Sequence, residues 1–154
     1  MNYTIRPVRP GDMDDVARLI GQVQRLHAGW RPDLYRDMDI TLSPEAFADA
    51  VERGTMFAAE RDGEVCGYME VQFRHIENAV QVTRDILYID TIAVDERHRG
   101  RGIGHLFFEE AQRIRDENGL DGIELQVNAA NTAALEMYRS CGFTVKTYHM
   151  ELLK

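Results

Sequence analysis

The first half of the chain combines two stretches of helical periodicity with short strand-like runs. After Asp12, apolar residues recur at intervals of three and four, which predicts a helix that ends near Gly29. Residues 30–36 contain a proline and show no clean period, which is typical of a loop or a broken helix. Ser43 and Pro44 then offer a cap and a first turn for a second helix, which reaches about residue 53.

Alternating or continuous apolar runs predict the strands of one sheet. A short strand at residues 3–8 precedes the first helix, and residues 55–60 and 64–73 form a hairpin across Asp62 and Gly63. The run at residues 86–94 predicts a fourth strand. A helix from about residue 103 to 118, a strand at 122–127 and one or two closing strands at 143–153 follow. Because repeats and linkers are missing, residues 1–154 are predicted to form a single α/β domain with a mixed sheet.

Composition and charge narrow the choice of partners. The net charge of −8 argues against binding to nucleic acid or to an anionic membrane and suits a cationic substrate, although an ordinary acidic surface gives the same charge. No apolar stretch has the length of a signal peptide core or a membrane span. Cys66, Cys141 and the five histidines lack the spacing of metal ligands or redox pairs. We therefore expect reduced thiols, a cytoplasmic location and no metal.

A basic glycine turn lies between the fourth strand and the next helix. It reads Arg99-Gly100-Arg101-Gly102-Ile103-Gly104, and Arg97 adds charge beside it. Glycines let the backbone approach an anion closely, and the N–H groups at the start of the helix point toward it, so the turn predicts a pyrophosphate site. The dinucleotide fingerprint is excluded because His105 stands where its last glycine is needed, and the chain has no Walker A lysine motif.

This loop and a second motif resemble the GNAT acetyltransferase superfamily. Arg99, Gly102 and Gly104 have the spacing of its acetyl-CoA pyrophosphate loop, and residues 131–143, Asn-Thr-Ala-Ala-Leu-Glu-Met-Tyr-Arg-Ser-Cys-Gly-Phe, are similar to its hallmark helix. The resemblance implies a mixed, mostly antiparallel sheet of about six or seven strands flanked by about four helices. It also implies that the fourth and fifth strands splay apart to receive the pantetheine arm of the cofactor.

The resemblance implies a cofactor site on this loop and the neighbouring strand. Backbone groups of Ile92, Ala93 and Val94 would pair with pantetheine. The residues that would bind the pyrophosphate are Arg99, Gly100, Arg101, Gly102, Ile103 and Gly104. Asn131 would turn toward the cofactor, although an asparagine at this position can simply cap its helix.

Tyr138 and Asp90 are the candidate catalytic residues. Tyr138 matches the family tyrosine beside the cofactor sulfur, where a phenol with a pKa of roughly 10 can protonate the departing thiolate; packing on the apolar helix face is the alternative. Several relatives carry a glutamate where this chain has Gln126, so we assign the base to Asp90, which alternation places on one strand face with Tyr88 and Ile92. A structural Asp90, with water accepting the proton, is the alternative.

The resemblance implies an acetyl-CoA-dependent N-acetyltransferase in which a primary amine attacks directly within a ternary complex. His27, Trp30 and Tyr35 are candidate walls of the acceptor pocket, with Tyr148 as a further one, although such aromatic residues also form ordinary core. Polyamines, amino-acid derivatives, an antibiotic amine and a peptide or protein N-terminus are the acceptor classes considered. A noncatalytic acyl-CoA sensor and an unrelated nucleotide-binding domain are the alternatives. A homodimer is expected, since family members often form one.

Overall fold

The secondary structure follows the predicted order of strands and helices. The computed structural model describes residues 2–154. Its elements are β1 (Thr4–Pro7), α1 (Met13–Trp30), α2 (Pro44–Arg53), β2 (Met56–Arg61), β3 (Glu64–Ile76), β4 (Arg84–Val94), α3 (Ile103–Glu117), β5 (Gly122–Leu125) and α4 (Thr132–Ser140). Short 3-10 turns at Pro10–Asp12 and Glu96–His98 precede α1 and α3. In the described part of the chain, no helix is both long and apolar enough to cross a membrane.

Local chemistry fixes several of these boundaries. The Ser43 hydroxyl accepts a hydrogen bond from the Ala46 N–H at 3.4 Å and caps α2, as predicted. The β2–β3 hairpin turns at Asp62 and Gly63, whose φ angles of 53° and 82° are both left-handed. A two-residue hairpin turn needs this conformation, and Asp-Gly is among the sequences that adopt it most easily.

The sheet of residues 2–154 has five strands in the order β1-β2-β3-β4-β5. Neighbours from β1 to β4 run antiparallel, and β5 runs parallel to β4 because α3 forms the crossover between them. The predicted α/β fold, with a mixed, mostly antiparallel sheet and four helices, is confirmed. The count of about six or seven strands is wrong, because residues 144–154 lie in no strand.

β4 and β5 pair along only part of their length. The ladder runs from Ile86 opposite Gly122 to Ile89 opposite Leu125, and β4 then continues to Val94 without a β5 partner. The backbone of the second half of β4 is therefore unpaired on the side that faces away from β3. This is the predicted opening between the fourth and fifth strands.

A β-bulge interrupts β4 at the predicted catalytic aspartate. Thr91 pairs with Glu70 and Ile89 pairs with Val71, so Asp90 is an extra residue between two ladder positions. A bulge shifts the alternation of side chains by one residue. The prediction that Tyr88, Asp90 and Ile92 share one face is therefore wrong: Ile92 packs against the core cluster below the sheet, whereas Asp90 is exposed.

The helices cover the sheet on both faces. On one face, α1 and α2 bury a cluster that contains Val16, Leu19 and Tyr68. On the other face, α3 packs through Ile103 and Phe107 against the residues of β3 and β4. Gly67 permits this contact, because a Cβ there would lie 3.0 Å from the Phe107 ring and 3.1 Å from the Ile103 side chain.

The closing strands predicted at residues 143–153 are absent, and that prediction is wrong. The segment after α4, residues 144–154, is exposed throughout. Its large apolar side chains, with their exposed fractions, are Val145 49%, Tyr148 84%, Met150 85%, Leu152 99% and Leu153 64%. The alternating pattern suits a strand, but a strand needs a hydrogen-bonded neighbour, and within one chain this segment has none.

Candidate active site

The glycine loop before α3 forms an open cradle of backbone donors. Gly100 and Gly102 have φ angles of 72° and 87°, and a Cβ at either position would meet nothing within 4 Å. Gly102 is the N-cap of α3, where no side chain caps the helix and the first turn holds no acidic residue. The first N–H groups of α3 therefore lack a side-chain acceptor and favour an anion. Ile103, by contrast, is 2% exposed and its side chain belongs to the core.

The arginines of the loop have different surroundings. The Arg99 side chain donates from Nε to the Val94 carbonyl at 3.1 Å, which ties the loop to the end of β4. The prediction that Arg97 adds charge beside the loop is wrong, because carboxylates compensate that charge. Arg97 pairs with Asp95 at 3.0 Å and with Glu64 at 2.5 Å. Arg101 is exposed and lies within the turn itself. Arg99 and Arg101 are the two arginines within the glycine loop itself.

Asp95 is a buried anchor that the sequence analysis missed. Its side chain is fully buried at the end of β4, and its carboxylate accepts hydrogen bonds from the Arg97 N–H at 3.0 Å and from the Arg18 guanidinium of α1. Hydrogen bonds from Arg97 and Arg18 hold the pKa of this carboxyl well below its usual range, against the effect of burial. Asp95 thus fixes α1 and the start of the loop to β4.

Gly104 and α4 form the other wall of the cradle. A Cβ on Gly104 would lie 3.1 Å from Met137 Cε, so the third glycine of the motif allows α3 and α4 to approach each other. Asn131 caps α4, with its side-chain oxygen accepting from the Ala134 N–H at 3.2 Å. That bond engages only the amide oxygen, and the cofactor role of Asn131 stays a prediction.

Tyr138 lies on α4 in an aromatic setting. Its ring meets that of Phe143 edge to face at a centroid distance of 5.6 Å. Burial, with a smaller effect from Cys141, raises the pKa of Tyr138 to about 12. The phenol therefore stays protonated at neutral pH, as a proton donor must. Both readings of the residue, packing and proton donation, are compatible with this position.

Two carboxylates flank the unpaired half of β4. Asp90 at the bulge is exposed, and the Thr91 hydroxyl donates to it at 3.3 Å. Glu70, opposite Thr91 on β3, accepts a hydrogen bond from the Tyr68 hydroxyl at 2.8 Å. Burial and the charges of Glu70 and Asp90 raise the pKa of Tyr68. The Tyr68 hydroxyl therefore stays protonated and donates its hydrogen bond to Glu70. The sequence analysis missed Glu70, whose signal was a lone carboxylate in the apolar run Tyr68–Val71.

The predicted acceptor residues of α1 and its following loop do come together. The His27 ring lies 5.4 Å from Trp30 and 4.7 Å from Tyr35, measured between centroids. Burial lowers the pKa of His27, and its Nδ1 atom is buried without a hydrogen-bond partner. Tyr148 is 84% exposed and, in the described structure, makes no ring contact with this cluster.

Two depressions open beside these groups. One, of about 610 Å³, lies along the loop after α1 and includes Ala28 and Tyr35. The other, of about 150 Å³, lies between α1 and the glycine loop and is lined by Gln22, Arg25, Leu26, Glu96 and Arg99. The second joins the anion cradle to the helix that carries the aromatic cluster. The predicted acceptor residues and the glycine loop therefore both border α1.

One group of metal-type donors also appears, although its spacing in sequence gave no sign of it. Ligand atoms of Glu64, Cys66 and His98 lie within 4.8 Å of one another. Arg97 already binds Glu64, the Tyr3 hydroxyl pairs with His98 Nδ1 at 3.0 Å, and burial raises the pKa of the Cys66 thiol. Arg97 and Tyr3 thus already engage two of the three donors, and the raised pKa of Cys66 opposes the thiolate that a metal needs. The absence of a metal stays a prediction.

A mixed sheet that opens between its parallel strands, with an uncapped, glycine-rich helix start at the end of β4, has a shape that suits an extended phosphorylated ligand. Comparison with known proteins identifies the family. The family model "Acetyltransferase (GNAT) family" matches residues 22–143. The chain belongs to this acetyltransferase family.

Curated relatives are similar over much of the chain. The uncharacterized N-acetyltransferase MJ1207 of Methanocaldococcus jannaschii is 28% identical over 144 residues, which are 94% of this chain and 62% of the relative. A streptothricin acetyltransferase of Escherichia coli is 30% identical over 97 residues, 63% of this chain and 51% of the relative. The chain thus spans between half and two thirds of the length of these relatives.

Solved structures agree with the fold. A mutant of the BH1408 protein from Bacillus halodurans has a TM-score of 0.92 and 30% identity, covering 98% of this chain and 99% of that one. The aminoglycoside N-acetyltransferase AAC(6')-Iy, solved with CoA, has a TM-score of 0.72 at 16% identity, over 98% of both chains. The latter likeness concerns the fold alone.

Proposed function

We propose that the protein is an acetyl-CoA-dependent N-acetyltransferase that transfers the acetyl group to a primary amine by direct attack in a ternary complex. The observation that carries the proposal is the uncapped start of α3, behind Gly100 and Gly102, at the end of the unpaired half of β4. Family membership supports acetyl-CoA as the donor. Residues 1–154 would form one catalytic domain, and a cytoplasmic location stays a prediction.

Acetyl-CoA, the acetyl donor, fits the polar groups of the glycine loop, of β4 and of Asn131. The N–H groups of residues 102–104 would bind the pyrophosphate, with Arg99 and Arg101 beside it. Ile92 and Val94, whose backbone groups face away from β3, would hydrogen-bond the pantetheine amides as an added strand does, with Ala93 between them. The Val94 carbonyl already accepts from Arg99 in this structure, so its N–H is the free partner. The cap of α4 uses only the side-chain oxygen of Asn131, so its N–H₂ group would donate to acetyl-CoA.

The transfer requires two proton movements. Bound acetyl-CoA supplies an acetyl thioester, whose carbon forms a bond to the amine nitrogen while its carbon–sulfur bond breaks. A base removes the proton that the nitrogen loses, and Tyr138 donates its phenolic proton to the departing sulfur. Because its pKa is about 12, Tyr138 retains that proton at neutral pH and regains it from solvent after each turnover.

Asp90 is the proposed base, with Glu70 as the second candidate. The bulge turns Asp90 away from the core, so its carboxylate meets solvent and an incoming ammonium group. Glu70 lies across the ladder and keeps one oxygen free of Tyr68. Both carboxylates lie at the unpaired half of β4, and either one, directly or through water, can accept the amine proton there.

The acceptor is proposed to be a cationic amine bound beside His27, Trp30 and Tyr35. Aromatic faces attract ammonium groups, and the overall charge of −8 favours cations. A neutral His27, with its buried Nδ1 unpartnered, adds a hydrogen-bonding group without opposing charge. The names of the relatives include acetyltransferases of streptothricin and of aminoglycosides, and antibiotic amines therefore belong in the set to test together with polyamines and short peptides.

Calorimetric titration with acetyl-CoA, followed by thiol release in the same sample on that set of amines, tests the proposal. Binding with release of CoA in the presence of one amine class is the expected result. Binding without turnover on any amine would favour a noncatalytic acyl-CoA sensor. Failure to bind acetyl-CoA would contradict the proposal, and a Gly102→Ala variant provides the matched control for binding at the loop.

A further inference from the structure

The face of the sheet that α1 and α2 cover continues beyond them as an open polar surface. Tyr68 packs on this face among residues of α1. Glu70, Gln72 and Arg74 follow at every second position of β3, and alternation places them on the same face. Tyr88 of β4 lies opposite Gln72 in the ladder and joins them. Gln72 and Arg74 are exposed and Tyr88 is partly exposed, so this end of the face is open to solvent.

Arg74 is held in place at the open end without a charged partner. Its guanidinium carbon lies 3.5 Å from the centre of the Tyr88 ring, and Nε and Nη2 donate to the Gln72 side-chain oxygen at 3.3 and 3.0 Å. Within residues 2–154 these are the polar and ring contacts of its side chain, and none of them is a carboxylate. A guanidinium carries its N–H donors in one rigid plane, so Nη1 stays available for a further acceptor.

The carboxylate that adjoins Tyr88 from β5 is already paired with other cations. Glu124 is the ladder partner of Tyr88, and its carboxylate lies 2.7 Å from Lys146 and 3.4 Å from Arg84. These two cations together more than balance Glu124, so it does not neutralise Arg74. The local charge is therefore positive in a chain with a net charge of −8 and attracts an anion, for which a carboxylate matches the planar fork of the guanidinium.

The other end of the same surface is negative. Glu70 lies opposite Thr91 in the ladder, and Asp90 is the bulge residue beside it. The Glu70 carboxylate accepts a hydrogen bond from the Tyr68 hydroxyl at 2.8 Å. The charges of Glu70 and Asp90 both act on that hydroxyl, so the two carboxylates are neighbours on this surface. They are the candidate bases for the proposed transfer, and together they attract an ammonium group.

The separation of the two ends limits the length of a ligand that reaches both. The Arg74 guanidinium bonds Gln72 and therefore lies two to four residues along β3 from Glu70. At about 3.3 Å per residue this is roughly 7–13 Å. Two charge-assisted hydrogen bonds of about 2.8 Å each leave at most roughly 7 Å between the ammonium and carboxylate groups of the ligand. An amino acid, with both groups on one carbon, fits this span, whereas a peptide of three or more residues exceeds it, since each residue adds about 3.5 Å.

We propose that the acceptor is a free amino acid, whose ammonium group binds at Glu70 and Asp90 and whose carboxylate binds Arg74. This assignment rests on the acetyl transfer proposed above and narrows its acceptor to one chemical class. The product is then an N-acetylated amino acid. Arg74 determines specificity, since polyamines and aminoglycosides carry no carboxylate to bind it, and the carboxamide of an amino acid carries no charge there.

Matched pairs of an amino acid and its carboxamide test the proposal, with the standard L-amino acids that have a primary amine as the panel. Thiol release from acetyl-CoA measures turnover, and saturation-transfer NMR with CoA present measures binding of the same compounds. For at least one amino acid, kcat/KM is expected to exceed that of its amide by about 10- to 100-fold, the range for a hydrogen bond between charged groups. Arg74→Gln should remove this difference and Arg74→Lys should restore part of it, whereas Arg53→Gln, at the exposed end of α2, is the matched control and should keep it.

The outcomes separate this assignment from the catalytic proposal. An amino acid that binds through Arg74 but releases no CoA would contradict acetyl transfer and support the carboxylate site. Turnover of amines with no preference for any amino acid over its amide would overturn the assignment and leave acetyl transfer standing. A preference that persists in Arg74→Gln, with a native circular dichroism spectrum, would also overturn it. The same holds if no amino acid binds more tightly than its amide, whether or not acetyl-CoA is turned over.

Discussion

Replacing Asp95 by asparagine tests the anchor that joins α1, β4 and the glycine loop. The carboxylate is fully buried, and the change removes its charge from the Arg18 and Arg97 guanidinium groups. Breaking a buried ion pair costs about 3–5 kcal/mol, but these arginine side chains are 34% and 60% exposed and water can solvate them. We therefore expect a loss of about 2–3 kcal/mol in the free energy of unfolding, below that range.

Urea titration measures this loss, provided that the dependence of the free energy of unfolding on urea concentration has the same slope in both proteins. Asp116→Asn is the matched control. Asp116 pairs with Arg115 but is 66% exposed, so its replacement is expected to leave the free energy of unfolding nearly unchanged. Asp95→Asn should also weaken acetyl-CoA binding, since the loop starts from this anchor. A change at Asp95 no larger than that at Asp116 would refute the anchor.

The pH dependence of the same variant provides an independent check. The pKa of Asp95 is lowered in the folded chain, chiefly by its hydrogen bond from Arg97. Its stabilising effect is therefore fully present above the unfolded pKa of about 4 and is lost as the pH falls below it. The stability difference between the unchanged chain and Asp95→Asn should stay constant from about pH 7 to 5 and shrink in more acidic solution. A difference that does not vary with pH would contradict the charged pair.

Further predictions concern the reaction and the loop. Tyr138→Phe should lower kcat by about 100-fold, the low end for general acid catalysis because a thiolate leaves easily, with the KM for acetyl-CoA nearly unchanged in steady-state kinetics. Asp90→Asn should remove the titration of the base from the pH–rate profile, whereas Glu70→Gln should leave it; the opposite result would assign the base to Glu70. Gly102→Ala and Gly119→Ala, both at positive φ, should each cost about 1 kcal/mol in urea titrations, but only the first should weaken acetyl-CoA binding in calorimetry.

Features that depend on neighbouring residues were predictable from the sequence. The Ser43 cap, the Asp62-Gly63 turn and the start of α3 after the glycine loop each follow from the conformations that a few adjacent residues can adopt. The same holds for the aromatic group of His27 and Trp30, which lie three residues apart on one helix face. Periodicity and turn chemistry determine these features whatever the rest of the fold does.

Features that depend on the register between distant strands were not predictable. Asp90 leaves its expected face because β4 has one residue more than β3 between two paired positions, and no local pattern in β4 shows this. Glu70 becomes a candidate base only through the same register. Asp95 gains its role from Arg18, 77 residues earlier in the chain. The pairing of strands, and not the content of any one of them, decides these assignments.

The segment at residues 144–154 shows the converse case, in which the local pattern is strand-like and the strand is missing. Alternation states only that one face of an extended segment is apolar; it does not state which edge the segment joins. The edge of β5 is open, yet the segment contacts its own chain through the ion pairs of Lys146 with Glu124 and of Glu151 with Arg31 and forms no strand there. An alternating sequence therefore shows that a segment can form a strand, and the supply of a hydrogen-bonding neighbour decides whether it does. The expected homodimer stays a prediction, which the mass of the chain in light scattering tests.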